Sequence, residues 1–397
     1  MSTAKPRGVL VGRTNTRDVS FKSRLRYAYG CDPEYYDEVL AYKGRFESCI
    51  AIPPVAAVEK FLSPEPLPDA DFFPDSEFTE GVRDQLLAEW PLSFTAERDD
   101  NTAKVDLTNG DSASMDVFGR VGAIADVGGS IVALRWLPTS EPAEYEYVAL
   151  SVVHAPIAES LNHERLGLFN QEMDDSLATS IQVWRYRDGE LTRHLLIDTT
   201  GVVGVTNYLE WLPLSVPGCL GVVCGCFNDG NWHAIKISRD YGQVSLTKSS
   251  MTITVPDTTI TSFSFRNSSH VIVGTATGHI AQFEVPAPVD SDGVTEPQWM
   301  VHLFKTAIDS LLVNASEPGK DVVVANSSGS TMCAVELDNY VVGQSTAFAP
   351  KTWLRPSYNP KLRLYLVASA LDTLSYMFLR APTESINSLA ISSSSTT

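Results

Sequence analysis

The feature that most constrains this chain is a unit of short strands that recurs about every 45–55 residues, beginning near Ile131, Val205, Ile260, Ile308 and Arg355. Its clearest instance is residues 201–238, GVVGVTNYLEWLPLSVPGCLGVVCGCFNDGNWHAIKIS. A first strand is expected from Val202 to Trp211, ending at the turn Leu212-Pro213. The apolar run 220–227 has the length of a buried strand. Asn228-Asp229-Gly230 is a hairpin signal, because Gly takes the positive φ that a tight turn requires. Residues 232–237 then alternate apolar and polar, as a strand does when its two faces meet different surroundings.

The same order repeats along the chain. In the first unit, strands are expected over residues 130–140, 146–154 and from Thr179 to an Asp188-Gly189 turn, with LTRHLLIDTT closing it. Residues 155–180 form a polar insertion of the kind that contacts partners. In the third unit, residues 260–265, 270–275 and 279–285 are strands, with a Thr277-Gly278 turn between the last two. The fourth runs IDSLLVNASEPGKDVVVANSSGSTMCAVEL and the fifth LRPSYNPKLRLYLVASALDTLSYMFLR, while residues 385–392 read as the first strand of a sixth. Four-stranded units at this period are the blades of a β-propeller. The expected fold is therefore all-β and WD40-like, a ring of six or seven blades whose later members are degenerate or missing. Residues 112–118 are a further strand, a candidate to latch the last blade.

The propeller is expected over residues 104–397, after an extension of different character. Residues 1–22 read as a flexible basic arm, and residues 23–103 as a helical and acidic, Pro-rich extension. Asp32-Pro33 suits a helix start, after which Tyr36, Val39, Leu40 and Phe46 fall on one face that needs a partner surface. Residues 62–80 are acidic and extended, and Phe72, Phe73 and Phe78 imply that this connector is pinned somewhere.

Charge narrows the function classes. The net formal charge is −18, which repels phosphate and argues against general nucleic-acid binding. Residues 1–30 nonetheless carry +6, against −14 over residues 31–118. Arg7, Arg13, Arg17, Lys22, Arg24 and Arg26 are thus the candidate DNA-backbone contacts, and Tyr36, Val39, Leu40 and Phe46 the candidate partner contacts. Six cysteines in 397 residues are too few for a disulfide framework. No apolar run reaches the length of a membrane-spanning helix. The start lacks the hydrophobic core of a secretory signal; its Arg-rich, acid-poor composition suits a nuclear or cytosolic arm, with a mitochondrial transit peptide as the alternative.

Motifs for chemistry are missing from the sequence: GxSxG, HExxH, a Walker loop, GxGxxG after a strand and CxxC do not occur. Cys219, Cys224, Cys226 and His233 lie close together, as zinc ligands would. Cys224 and Cys226 share a face of an apolar strand, however, which is where packing thiols belong. The expectation is no catalytic residue, no cofactor, no metal and no small-molecule substrate.

Several stretches resemble the WD-repeat subunit of the RNA polymerase III factor TFIIIC (fungal transcription factor tau), of the type that pairs with a second propeller subunit. SRLRYAYGCDPEYYDEVLAYKGRFESCIAIPP is similar to the helical segment and Pro pair that precede the propeller in that family. VVGVTNYLEWLPLSVPGCLGVVCGCFNDGNWHAIKI and ITSFSFRNSSHVIVGTATGHIAQFEV resemble two of its strand units, and LRAPTESINSLAIS a following loop and strand. Trp-Asp dipeptides are missing, and Phe265 stands where a Trp is common. The resemblance implies a non-enzymatic nuclear scaffold whose partners are the second propeller subunit and other TFIIIC subunits. It also implies DNA contact mainly through the complex, at the B-box of tRNA genes.

Overall fold

The computed structural model describes residue 69 and residues 72–88, 92–98, 101–117, 120–139, 143–154, 177–240, 242–286, 295–317, 320–328, 331–337, 341–342, 346–347, 357–359, 364–368, 374–378 and 390–393. The basic arm, the helical segment around Tyr36 and Phe46, and residues 155–176 of the insertion lie outside them. The chain divides into two compact units, residues 64–302 and residues 1–63 with 303–397.

In the 64–302 unit the first strands are β1 (Glu77–Glu80), β2 (Leu92–Arg98), β3 (Asn101–Leu107), β4 (Ser112–Val117), β5 (Arg120–Ala125) and β6 (Ser130–Trp136). Then follow β7 (Glu146–His154), β8 (Ala178–Arg187), β9 (Glu190–Asp198), β10 (Thr206–Trp211), β11 (Cys219–Phe227) and β12 (Trp232–Ser238). β13 (Gln243–Lys248), β14 (Met251–Ile253), β15 (Ile260–Asn267), β16 (His270–Thr275), β17 (His279–Glu284) and β18 (Trp299–His302) complete the unit. Three sheets carry the blade order: β6-β7-β8-β9, β10-β11-β12-β14 and β15-β16-β17-β18. Every pair within them is antiparallel.

The apolar run of β11 is explained by what lies on its two sides. Val222, Cys224 and Cys226 enter one core with Trp232, Ala234, Phe263, Val273 and Phe283, between the second and third sheets. Val223 and Phe227 enter another with Leu209, Trp211, Ile181, Val183 and Leu195, between the first and second. A sheet buried on both faces has no polar face to alternate with, so its sequence reads as continuous hydrophobic. Each Leu- or Val-sized side chain placed there contributes about 1.5–3 kcal/mol. Leu220, expected in the core, is only half-buried and packs at the margin of the second cluster.

Turns formed where the sequence asked for them. Asp188 and Gly189 both have positive φ, 51° and 88°, in the β8–β9 hairpin, and Gly230 has φ 88° between β11 and β12. The expected strand from Val202 begins late, however. The Thr199 carbonyl accepts the N–H groups of Val202, Val203 and Gly204, which winds residues 199–204 into a turn, and β10 starts only at Thr206.

Two strands leave the simple order. β13, between β12 and β14 in sequence, crosses to the first sheet and pairs parallel with β9. β1 then pairs antiparallel with β13, making a six-stranded sheet. The strand expected at residues 112–118 is β4, which pairs with β5 as a hairpin rather than latching a last blade.

The second unit contains β19 (Ile308–Glu317), β20 (Lys320–Ser327), β21 (Thr331–Glu336), β22 (Val341–Val342) and β23 (Thr346–Ala347). These form a sheet of order β19-β20-β21-β22, with β23 also on β21. β24 (Ser357–Asn359), β25 (Leu364–Ala368), β26 (Leu374–Phe378) and β27 (Ala390–Ser393) form another. The stretch 385–392, expected to open a sixth unit, instead supplies most of β27, which pairs with β26 and completes the fifth. A strand of four residues carries too little periodicity to reveal which sheet it joins.

Glycine at 221 is required by packing. A Cβ there would lie 2.9 Å from Cε3 of Trp211, whose ring is buried against it. Gly221→Ala should lower unfolding stability by about 1–3 kcal/mol, read as an earlier urea midpoint. An unchanged midpoint would place the indole elsewhere.

Candidate protein-interaction surface

The first and second sheets meet along their leading strands, β6 and β10. The Trp211 indole N–H donates to the Arg135 carbonyl at 3.1 Å, so the ring is both buried and satisfied. The Arg135 guanidinium pairs with Glu210 at 2.9 Å, and the Tyr208 hydroxyl donates to the same carboxylate. Burial holds the Glu210 carboxyl above the usual carboxylate range, a rise that Arg135 opposes without cancelling. Arg135 also lies 5.9 Å from the Tyr208 ring centre. This polar seam fixes the register of the two sheets on the side where β6 faces β10.

Among the described residues, the opposite face of β6 has no such cover. In the β6–β7 register Ile131, Leu134 and Trp136 lie opposite Val152, Leu150 and Val148 and share their face. Those β7 residues are buried with Trp184 and Val127. Farther out, Leu86 of a short 3-10 helix (Asp84–Leu87) covers Leu196 of β9. The cover stops short of β6, leaving Ile131 49%, Leu134 51% and Trp136 47% exposed. One such residue on a surface is ordinary; three along one face of a strand make a candidate interaction surface.

The acidic connector is pinned, as its aromatics implied. Phe73 is buried in the core between the second and third sheets, and Phe78 packs against the core between the first and second. Phe72 is exposed. Lys236 binds Asp75 at 2.7 Å and the Phe73 carbonyl at 3.2 Å. Arg83 then binds Asp198 at 2.6 Å and the Thr200 carbonyl at 3.2 Å. The connector thus runs across the outer margins of two sheets as a strap, and β1 covers an edge that β13 would otherwise expose.

Cys219, Cys224, Cys226 and His233 do not converge. His233 lies opposite Gly225 in the β11–β12 register, whereas Cys224 and Cys226 lie opposite Ala234 and Trp232. His233 therefore projects from the other face of the sheet, and the four residues close in sequence do not surround one point. Burial pushes the Cys224 and Cys226 thiols well up, which keeps them protonated. Among the described residues no group of three or more His, Cys, Asp or Glu could hold a metal ion. His233 instead bridges Asp229 at 2.7 Å through Nε2 and Ser249 at 2.9 Å through Nδ1. These are the residue types of a nucleophilic triad, but Ser249 is buried and also bonded to Thr252 at 3.0 Å. Asp229 caps the turn through the Asn231 N–H as well. Burial alone would raise the Asp229 carboxyl; the hydrogen bonds from His233 and Asn231 outweigh it and hold it low. The network locks a hairpin. The sequence announced the turn but not the histidine that braces it.

A second histidine, His154, is also buried. His154 Nδ1–H donates to the Gly128 carbonyl at 2.8 Å, and its Nε2 accepts from Ser180 at 2.7 Å. The candidate contacts Arg7, Arg13, Arg17, Lys22, Arg24, Arg26, Tyr36, Val39, Leu40 and Phe46 lie outside the described residues.

No protein-family model matches the chain, and no curated protein matches it. The solved structures that match number 1247 chains, a breadth that separates no function from another. One is the β-propeller domain of Cps50 (Swd1) from Myceliophteria thermophila, with 10% identity and a TM-score of 0.37 over 51% of this chain. The match spans 65% of that domain, just under two-thirds of its length. Strand order and register define the blades.

His154 yields a measurable pH dependence. Burial, with the nearby Arg193 charge, pushes its imidazole down to about 4, against the opposing pull of the Gly128 carbonyl and Asp198. The unfolded chain takes up this proton near pH 6.5, whereas the native chain refuses it until about pH 4. Stability should therefore fall as pH drops through that window, by roughly 3 kcal/mol in all. Urea unfolding at pH 7, 5.5 and 4 should show a steeper loss for the wild type than for His154→Gln. Parallel pH profiles would contradict the assignment.

Proposed function

We propose that this chain is a non-enzymatic scaffold that binds another protein through the uncovered face of its first sheet. The observation that carries the reading is the row Ile131, Leu134 and Trp136, half-exposed on a strand whose neighbours are fully buried. Burying three such side chains against a partner supplies the desolvated apolar centre on which interface affinity concentrates, with Trp136 as the strongest anchor. The chain's net charge of −18 favours a basic partner.

In its finer form, the proposal assigns the chain to TFIIIC as the propeller subunit that pairs with a second propeller subunit and supports B-box recognition in the nucleus. That assignment is supported by the sequence resemblance over residues 23–54, 202–237, 260–285 and 379–392. The basic residues of the arm then contact DNA backbone only as part of the complex. The alternative is a WD40 scaffold in another nuclear complex, in chromatin or RNA processing.

Affinity capture from nuclear extract at high salt tests both levels, using the full chain and a Leu134→Asp variant. Recovery of RNA polymerase III factors by the wild type, lost in the variant, is the expected result. Recovery of a different complex, lost in the same variant, would keep the scaffold and overturn TFIIIC. Equal recovery by both chains would remove the β6 face from the account.

A further inference from the structure

We propose that His279 and His302 form a chelating pair for a divalent first-row transition ion at the outer margin of the third sheet. The two residues are distant in sequence, and the β17–β18 register places them directly opposite each other. Their ring centres are 4.6 Å apart and their planes inclined by 44°. Imidazole nitrogens bind such ions at about 2.0–2.1 Å, and each nitrogen lies about 1.1 Å from its ring centre. Two rings sharing one ion at bond angles near 90–110° therefore have centres about 4.5–5.2 Å apart. The observed separation falls inside that range.

A threonine chain prepares His279 for this role. The Thr277 hydroxyl donates its proton to Thr258 Oγ1 at 3.2 Å, so at 3.0 Å from His279 it accepts from Nδ1–H. Thr275 Oγ1 accepts the His279 backbone N–H at 3.1 Å and lies 3.1 Å from Thr277 Oγ1, to which its own hydroxyl donates. The proton is thereby held on Nδ1, and Nε2 keeps the lone pair that a metal takes. An outer partner that orients the ring and fixes its tautomer is characteristic of histidine ligands. His302 is exposed, so an ion has access from solvent.

Three other histidines are placed differently. His154 and His233 have both ring nitrogens engaged inside the unit. His270 is bonded to Asn267 at 3.0 Å. No third His, Cys, Asp or Glu joins the pair among the described residues, so water fills the remaining positions. Two imidazoles select zinc, copper or nickel over magnesium and calcium, which prefer oxygen donors.

The test is calorimetric titration of Ni²⁺ into the untagged full chain in a non-coordinating buffer. One saturable equivalent is expected. His302→Gln should weaken it at least tenfold while leaving the circular dichroism spectrum and Tm unchanged, because that side chain is exposed. Thr277→Val keeps both ligands and should weaken binding by about ten- to a hundredfold, the usual cost of an outer-partner loss. Electron paramagnetic resonance of the Cu²⁺-loaded chain should show two equatorial imidazole nitrogens, reduced to one in His302→Gln. Failure of the wild type to bind either ion saturably, or undiminished binding by His302→Gln, would overturn the site.

Discussion

The burial of one sheet on both faces governs how the 64–302 unit is put together. β10, β11, β12 and β14 receive the first sheet on one side and the third on the other, so their side chains form two separate cores. Such a sheet has no solvent face to sacrifice. Any residue in β11 that is too large, or polar without a partner, disturbs packing against a neighbouring sheet. The glycines at 221 and 225 answer this constraint: a Cβ at the first would press on Trp211, and one at the second would meet Phe227 and Thr206 at 3.0 Å. Trp211 in turn reaches across the seam to the Arg135 carbonyl, so the same residue fills the core and sets the alignment of two sheets.

Around this centre, edges and ends are managed by other means. The outer edge of the first sheet is extended by β13 and then by β1, which brings the amino-terminal strap onto the sheet. Arg83, Asp198, His154 and Ser180 tie the strap and the sheet end with charged and neutral hydrogen bonds. Among the described residues, the face of β6 away from the seam receives no comparable treatment. Its three half-exposed apolar side chains stand beside buried neighbours that show what the same face looks like when covered. That contrast, within one sheet, is the physical basis for assigning it to a partner.

How much of this was legible in the sequence depended on length and burial. β7, β11 and β16 could be read almost to the residue, because long apolar runs bounded by turn signals have few alternatives. The Asp188-Gly189 and Asn228-Asp229-Gly230 turns were equally plain. The closing strands were not: Met251–Ile253 and Trp299–His302 are three and four residues long and partly exposed, so they carry no period to detect. The strand near the carboxyl end was read as the start of a new unit for the same reason. The crossing of β13 to a neighbouring sheet leaves no local trace, since a strand's own sequence does not name its partner. At the candidate sites, nearness in sequence did not mean convergence, and distance did not prevent it. Cys224, Cys226 and His233 are neighbours that project from opposite faces, whereas His279 and His302 are remote and meet through register. The partial exposure of Ile131, Leu134 and Trp136 was invisible for a related reason: their hydrophobicity suits a core strand, and only the structure shows where the cover ends.

Native-state hydrogen exchange followed by mass spectrometry tests the central claim most directly, which is that the second sheet, packed on both faces, organises its unit. Amides of β11 and β12 should exchange last, together with those of β8, through opening of the whole unit. The β2–β3 hairpin, whose Leu92 and Phe94 are exposed, should exchange early by local opening. Early exchange of β11 while β8 stays protected would contradict the account, because it would mean that the second sheet opens without disrupting the first.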